Sequence, residues 1–200
     1  MISWLSNNYV EIIGTICGLF YIWLSVKQNI ALWSVGILSS ALYIVVFYKN
    51  QLYADMSLNL YYLLVSVYGW IHWKKKKNTE TKQTLQISEL NLWNWIEYLG
   101  LSIVLTLALY WILKNVPQKL GFSPSSIPFW DALVTAGSIT ATWMLARKVL
   151  EQWLWWIVID AISIAMFIYK ELYFTSFLFL VYTIMAVWGY FEWRNERKRI

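Results

Sequence analysis

The chain repeats itself. Displaced by 120 residues without a gap, Thr15 falls on Thr135, Trp23 on Trp143, Trp33 on Trp153 and Phe47 on Phe167. The register continues with Leu52 and Tyr53 on Leu172 and Tyr173, Tyr62 on Tyr182, Gly69 on Gly189, Trp73 on Trp193, and Lys27 on Arg147. Apolar sequence pairs Leu with Ile by chance, but it does not align rare Trp, Tyr and Gly at one offset over so long a stretch. Any fold for this chain must contain the same unit twice.

Each copy consists of apolar runs separated by short charged clusters. Of the 200 residues, 60% are hydrophobic and 14% charged, where a soluble domain carries about 25% charged residues. A hydrocarbon core about 30 Å thick is crossed by about 20 mainly apolar residues in helical form. Lipid cannot pair backbone polar groups, so each span must satisfy its own. The runs predict seven helices, over residues 9–26, 31–48, 54–73, 92–113, 129–146, 150–169 and 173–193. A polar loop covers 74–91, and a loop over 114–128 holds all three prolines. The expected fold class is an all-α membrane protein of seven transmembrane helices.

Helices 1–3 and 5–7 are the two copies. Three spans reverse direction, so a second copy fused directly would be inverted. Helix 4 restores the direction and makes the copies parallel about an axis along the membrane normal. This 3+1+3 plan is SWEET-like, and it places a substrate between the repeats near the bilayer midplane. The expected organisation is a first three-helix repeat over 1–73, a linker region with helix 4 over 74–128, and a second repeat with a basic tail over 129–200. A duplication that merely stabilises a bundle is the competing reading.

The net charge of +5 is topological information. The runs 74–77 and 194–199, with Arg147, Lys148 and Lys27, fall on one side if the helices alternate. Lys49, Lys114, Lys119 and Lys170 are spread thinly on the other. The positive-inside bias therefore places the N-terminus outside and the C-terminus in the cytoplasm of a multi-pass inner (cytoplasmic) membrane protein. Bases that flank spans, with no stripe on a soluble face, argue against a nucleic-acid partner. Residues 1–8 have neither a basic n-region nor a small-residue cleavage site, so no cleaved leader is expected. With one cysteine, Cys17, and one histidine, His72, neither a disulfide nor a metal site is expected. No phosphate loop or nucleophile motif appears. The chain reads as a protein without cofactor and not as an enzyme.

Polar side chains inside the spans mark the candidate site. Aromatic residues make 19% of the chain. Trp4, Trp70, Trp73, Trp93, Trp95 and Trp193 lie near span ends, as interfacial belts do. Trp33, Trp143, Trp153, Trp156 and Trp188 lie in the outer turns beside small or polar residues, where rings line or close a passage. Asp160 falls at the middle of helix 6, where a carboxylate costs several kcal/mol unless it faces a cavity or a partner. Trp156 and Ser163 share its face. An acid beside an aromatic face suits a cation, held by charge and by the ring quadrupole; a protonated Asp160 bonded to Ser or a carbonyl is the alternative. Helix 2 presents Gly36, Ser39, Ser40 and Tyr43, with Ser40 at the repeat counterpart of Asp160. Helix 3 presents Asp55, Asn59 and Tyr62. Helix 5 presents Asp131, Thr135, Ser138 and Thr142 as one stripe. Any single hydroxyl reads as a packing notch, whereas the stripe reads as a lined passage.

The motifs resemble the PnuC-type vitamin transporters. In the first half these are Trp33-Ser-Val-Gly36-Ile-Leu-Ser-Ser, Leu52-Tyr-Ala-Asp55 and Tyr68-Gly-Trp70-Ile-His-Trp73. In the second half they are Trp130-Asp131-Ala-Leu, Trp143-Met-Leu-Ala-Arg147-Lys148 and Glu151-Gln-Trp153-Leu-Trp-Trp156-Ile-Val-Ile-Asp160. The resemblance implies a facilitator without ion or ATP coupling, a homotrimer, and a cytoplasmic kinase that traps the arriving vitamin. Family members carry nicotinamide riboside, and sister branches are linked to thiamin and riboflavin. The riboside branch has Gln at the positions of Asn59 and Thr142. The shorter side chains here resemble the thiamin branch, so thiamin is the expected substrate. Nicotinamide riboside is the alternative, and a sugar carrier of the same architecture is a further one. The binding residues this reading selects are Trp33, Ser40, Tyr43, Asn59, Tyr62, Ser138, Thr142, Trp143, Trp156 and Asp160.

Overall fold

The computed structural model describes residues 15–49, 53–75, 85–119 and 125–199. Among these residues lie seven helices: α1 Thr15–Val26, α2 Ala31–Lys49, α3 Tyr53–Lys75, α4 Leu92–Lys119, α5 Pro128–Ala146, α6 Gln152–Tyr169 and α7 Tyr173–Arg197. Four of them, α2, α4, α6 and α7, are long and apolar enough to cross a membrane. α3 and α5 are equally long but more polar, because they carry polar residues of the interior. The spans run past their expected ends. α4 continues through Pro117 to Lys119, and α7 continues to Arg197. Residues 114–119 were expected to be loop; they continue the helix, with Asn115 Nδ2 donating to Trp111 O at 2.7 Å on the turn that precedes the proline.

The bundle is inside-out. α4 turns Ile103, Val104, Leu107 and Trp111 outward, each more than half exposed, while Ser25, Ser40, Ser66, Thr140, Asp160 and Ser163 are buried. A continuous apolar belt is stable only against hydrocarbon. Helix association there depends on close backbone approach. α5 accordingly buries a face of Ala132, Ala136, Gly137, Thr140 and Ala141 between α4 and α6.

The repeat reappears as symmetry at the end of the bundle that carries most of the basic residues. Trp33 packs edge-on to Trp73 at 5.4 Å and 88°, and Trp153 packs on Trp193 at 5.5 Å and 89°. Trp73 and Trp193 then meet each other at 6.4 Å. Trp73 Nε1 donates to Ala146 O, the last carbonyl of α5, at 3.1 Å. Trp193 Nε1 donates to Val26 O, the last carbonyl of α1, at 3.2 Å. A helix leaves its final carbonyls without partners, and here each half supplies the missing donor to the other. Exchanging the halves maps these contacts onto themselves, which is the signature of a two-fold arrangement and not of a tandem one. Past the two capped helices, Gln28 and Lys148 adopt positive φ of 50° and 54°, the left-handed turn that ends a helix.

The segment 85–91 is a strap. Ser88 N donates to Lys148 O at 3.0 Å and Leu150 N to Ser88 O at 2.9 Å. Leu90 N donates to Glu151 Oε1 at 3.1 Å, and Glu89 pairs with Arg197. Its Leu85 and Ile87 join the tryptophan core. Lys148 is clamped beneath, donating to Gln28 Oε1 at 2.8 Å and Leu85 O at 3.0 Å. Burial lowers its pKa to about 8, against a smaller upward pull from Glu196. Between that value and the unfolded one near 10.5 the unfolded chain binds more protons, so stability rises with pH across this window. Thermal unfolding from pH 8 to 10 should show that rise in the wild type and a flatter profile in Lys148→Gln; equal slopes would contradict it.

Candidate functional site

A cavity of about 440 Å³ lies between the two three-helix groups, within the range of about 300–1,000 Å³ of small-molecule sites. Six helices line it, and α4 contributes nothing. The spacing of the lining residues follows from helix periodicity. α1 offers Gly18, Tyr21 and Ser25; α2 offers Gly36, Ser40 and Tyr43; α3 offers Asn59, Tyr62 and Ser66. Each set recurs at intervals of three and four, so it forms one helix face. α5 adds Ser138 and Thr142, α6 adds Trp156 and Asp160, and α7 adds Phe179 and Tyr182.

The hydroxyls are oriented by their own helices. Ser138 donates to Val134 O at 2.8 Å, Thr142 to Ser138 O at 2.7 Å and Ser39 to Gly36 O at 3.2 Å. Each proton is thereby used, and the oxygen remains an acceptor. Such a wall suits a guest rich in O–H and N–H donors.

Among the described residues Asp160 is the single acid of the lining, and no Lys, Arg or His accompanies it there. It is 4% exposed, one turn from Trp156, and Tyr182 lies within its electrostatic reach. Among the described residues no base pairs with it. A carboxylate so enclosed favours a cation that arrives with its own apolar body.

Eight of the ten sequence-selected residues line this cavity: Ser40, Tyr43, Asn59, Tyr62, Ser138, Thr142, Trp156 and Asp160. Trp33 does not. It is fully buried against Gly69 and Trp73, because glycine at 69 leaves a flat seat for its ring. Trp143 does not line it either. It lies in the α3/α5 seam, stacked on Tyr68 at 5.0 Å and covered by the Arg147 guanidinium at 4.6 Å. Thr135 is likewise outside the lining, and Asp131 is occupied by Lys170 at 3.2 Å and by Ser125. The side chain of Asp55 lies outside the described residues. Tyr21, Ser66, Phe179 and Tyr182 were not selected from the sequence. Tyr182 was legible there as the repeat partner of Tyr62, whereas Tyr21 carried no such signal.

A second groove of about 450 Å³ lies among α4, α5 and α6. Its walls are nearly all apolar and contain no ionisable side chain, so it lacks the polar groups that give a site selectivity.

A family model described as nicotinamide mononucleotide transporter matches residues 8–195. The chain is 27% identical over 210 residues to the nicotinamide riboside transporter PnuC of Escherichia coli (strain K12), covering 96% of this chain and 87% of that protein. It is 24% identical over 194 residues to the riboflavin/roseoflavin transporter RibM of Streptomyces davaonensis, covering 94% and 86%. In fold it is similar to a crystal structure of the vitamin B3 transporter PnuC, with a TM-score of 0.70, 22% identity, and coverage of 98% of this chain and 85% of that one.

Proposed function

The chain belongs to the nicotinamide mononucleotide transporter family, and from that premise we propose that it is a membrane facilitator for a cationic aromatic vitamin, with nicotinamide riboside as the cargo. The observation that carries the reading is the unpaired Asp160 in a cavity otherwise lined by rings and hydroxyl acceptors. A pyridinium ring brings the positive charge, Trp156 and the tyrosines provide faces for it, and Asp160 neutralises it. The ribose hydroxyls and the carboxamide N–H groups meet the acceptor oxygens of Ser138 and Thr142. Thiamin, expected from the short Asn59 and Thr142, shares the cation but carries a single hydroxyl and an amino group, so it leaves more of this wall unpaired. Relatives named for nicotinamide riboside also favour the riboside. A neutral sugar or flavin makes no use of a buried acid.

On this reading the basic end of the bundle faces the cytoplasm and the N-terminus is outside. The two three-helix units rock about the central cavity. A homotrimer and a cytoplasmic vitamin kinase belong to the same proposal, as what the resemblance of the motifs implies. Purified protein in liposomes without an ion gradient should accelerate nicotinamide riboside entry at least about tenfold over protein-free vesicles, a difference of about 1.4 kcal/mol in barrier. Thiamin and riboflavin should enter more slowly. If folded protein speeds none of the three, the reading is wrong; if thiamin leads, Asn59 and Thr142 decide the cargo.

A further inference from the structure

One stripe of α6 faces inward. Trp153, Trp156, Ile159 and Asp160 line the central cavity, and helix periodicity spreads them over an arc of about 120°. Gln152 falls inside that arc. It lies one turn from Trp156 and two turns from Asp160, about 12 Å along the axis toward the basic end. It opens the helix and sits just beyond the lining.

This side chain is fully buried, at 0% exposure. Among the described residues neither its Oε1 nor its Nε2 has a hydrogen-bond partner. An amide offers two donors and an oxygen with two acceptor sites, and a polar group buried without a partner destabilises the arrangement that buries it. Trp153 Nε1, on the next residue, is buried and unpartnered as well, as is Trp33 Nε1 at the equivalent place in the first half.

The repeat shows that packing does not require an amide here. The register sets Gln152 on Leu32, which is equally buried and belongs to the tryptophan core. An apolar side chain of similar size therefore fills that place in the first half. Along the same stripe Trp156 falls on Gly36 and Asp160 on Ser40. The second half departs from the first at all three positions, and the other two are the indole and the acid of the cavity.

Between the cavity and the basic end stands Trp153, which lines the one and packs on Trp193 of the tryptophan plug. An amide that costs the closed bundle stability, in line with the groups that face the cargo and beside its seal, has a use once the seal parts. We propose that Gln152 is an exit-side subsite, which binds the carboxamide of the cargo after the two units rock and Trp153 withdraws. Nε2 then donates to the carboxamide oxygen, and Oε1 accepts from its N–H. This rests on the central cavity being a transport site for a carboxamide-bearing cation.

The test compares two cargoes in proteoliposomes: nicotinamide riboside and the riboside of unsubstituted pyridinium, which has the same charge and sugar but no carboxamide. Gln152→Leu places in α6 the side chain that α2 carries at 32. It should slow entry of nicotinamide riboside about tenfold, the scale of one lost hydrogen bond. Entry of the pyridinium riboside should stay within about twofold of wild type, as should the calorimetric dissociation constant of either ligand, since the central cavity is untouched. Gln152→Met, unbranched and of the same length, should give the same pair of rates. Equal slowing of both cargoes would assign Gln152 to packing or to opening alone and overturn the proposal, as would an unchanged rate for nicotinamide riboside. If the wild type carries neither cargo, the transport reading itself fails and the subsite falls with it.

Discussion

Asp160→Asn is expected to raise the dissociation constant for nicotinamide riboside about a hundredfold and to stop uptake at micromolar concentration. Removing one partner of an enclosed charge pair costs about 2–5 kcal/mol, and a hundredfold corresponds to about 2.7 kcal/mol. Asparagine keeps the volume and two polar atoms, so the cavity shape persists. Its charge is gone, and among the described residues no other acid lines the cavity to replace it. The decisive comparison is the neutral dihydropyridine riboside, which matches the cargo in outline and lacks the cation. Titration calorimetry should find its affinity changed less than about threefold, near the limit of a neutral hydrogen-bond exchange. An equal loss for both ligands would mean that Asp160 shapes the site and does not read charge.

The second large effect concerns the seats of the tryptophans. Gly69→Ala and Gly189→Ala should each destabilise the protein by about 3 kcal/mol, the upper range for overpacking a core. A Cβ at 69 would stand 2.6 Å from Trp33 Cζ2, and one at 189 would stand 2.6 Å from Trp153 Cζ2. Each ring is buried and edge-packed on the next indole, so neither moves without breaking that contact. The two costs should agree within about 1 kcal/mol, the spread usual for one chemistry at similar sites. Gly100→Ala is the control. Nothing lies within 4 Å of a Cβ there, so alanine should be neutral or stabilise α4 by about 0.5–1 kcal/mol. Denaturation in detergent reads all three. A tolerated Gly69→Ala would mean that the tryptophan plug is loosely packed.

The architecture was legible because a bilayer permits so few solutions. Apolar run length announces a span, and the 120-residue register announces that three spans recur. The polar stripe was legible for the same reason: Asn59, Tyr62, Ser138, Thr142 and Asp160 are costly in lipid unless they face inward, and inward is where they lie. The tryptophans were not separable by sequence. Trp33 and Trp156 occupy similar positions near helix starts, yet one is sealed on Gly69 and the other faces the cavity. What divides them is the residue on a neighbouring helix, which a linear pattern does not record. Trp73 and Trp193 looked like interfacial belt residues by position. They are buried because each indole N–H finds a carbonyl on the opposite half, a contact between residues more than seventy positions apart. The 74–91 loop was legible as polar but not as a strap, since its order comes from Lys148, Leu150 and Glu151 of a distant turn.

The reciprocal indole bonds limit how the two copies can drift apart. Neither copy ends its own first helix, so a change at Trp73 is felt at Ala146 and one at Trp193 at Val26. The plug positions are matched pairs, 33 with 153, 69 with 189 and 73 with 193, and of these 73 and 193 reach across to the other copy. Where the copies part company, at Ser40 against Asp160, one wall of the cavity carries a hydroxyl and the other an acid. The shared fastening therefore holds two otherwise unlike copies to one geometry around an unequally lined cavity.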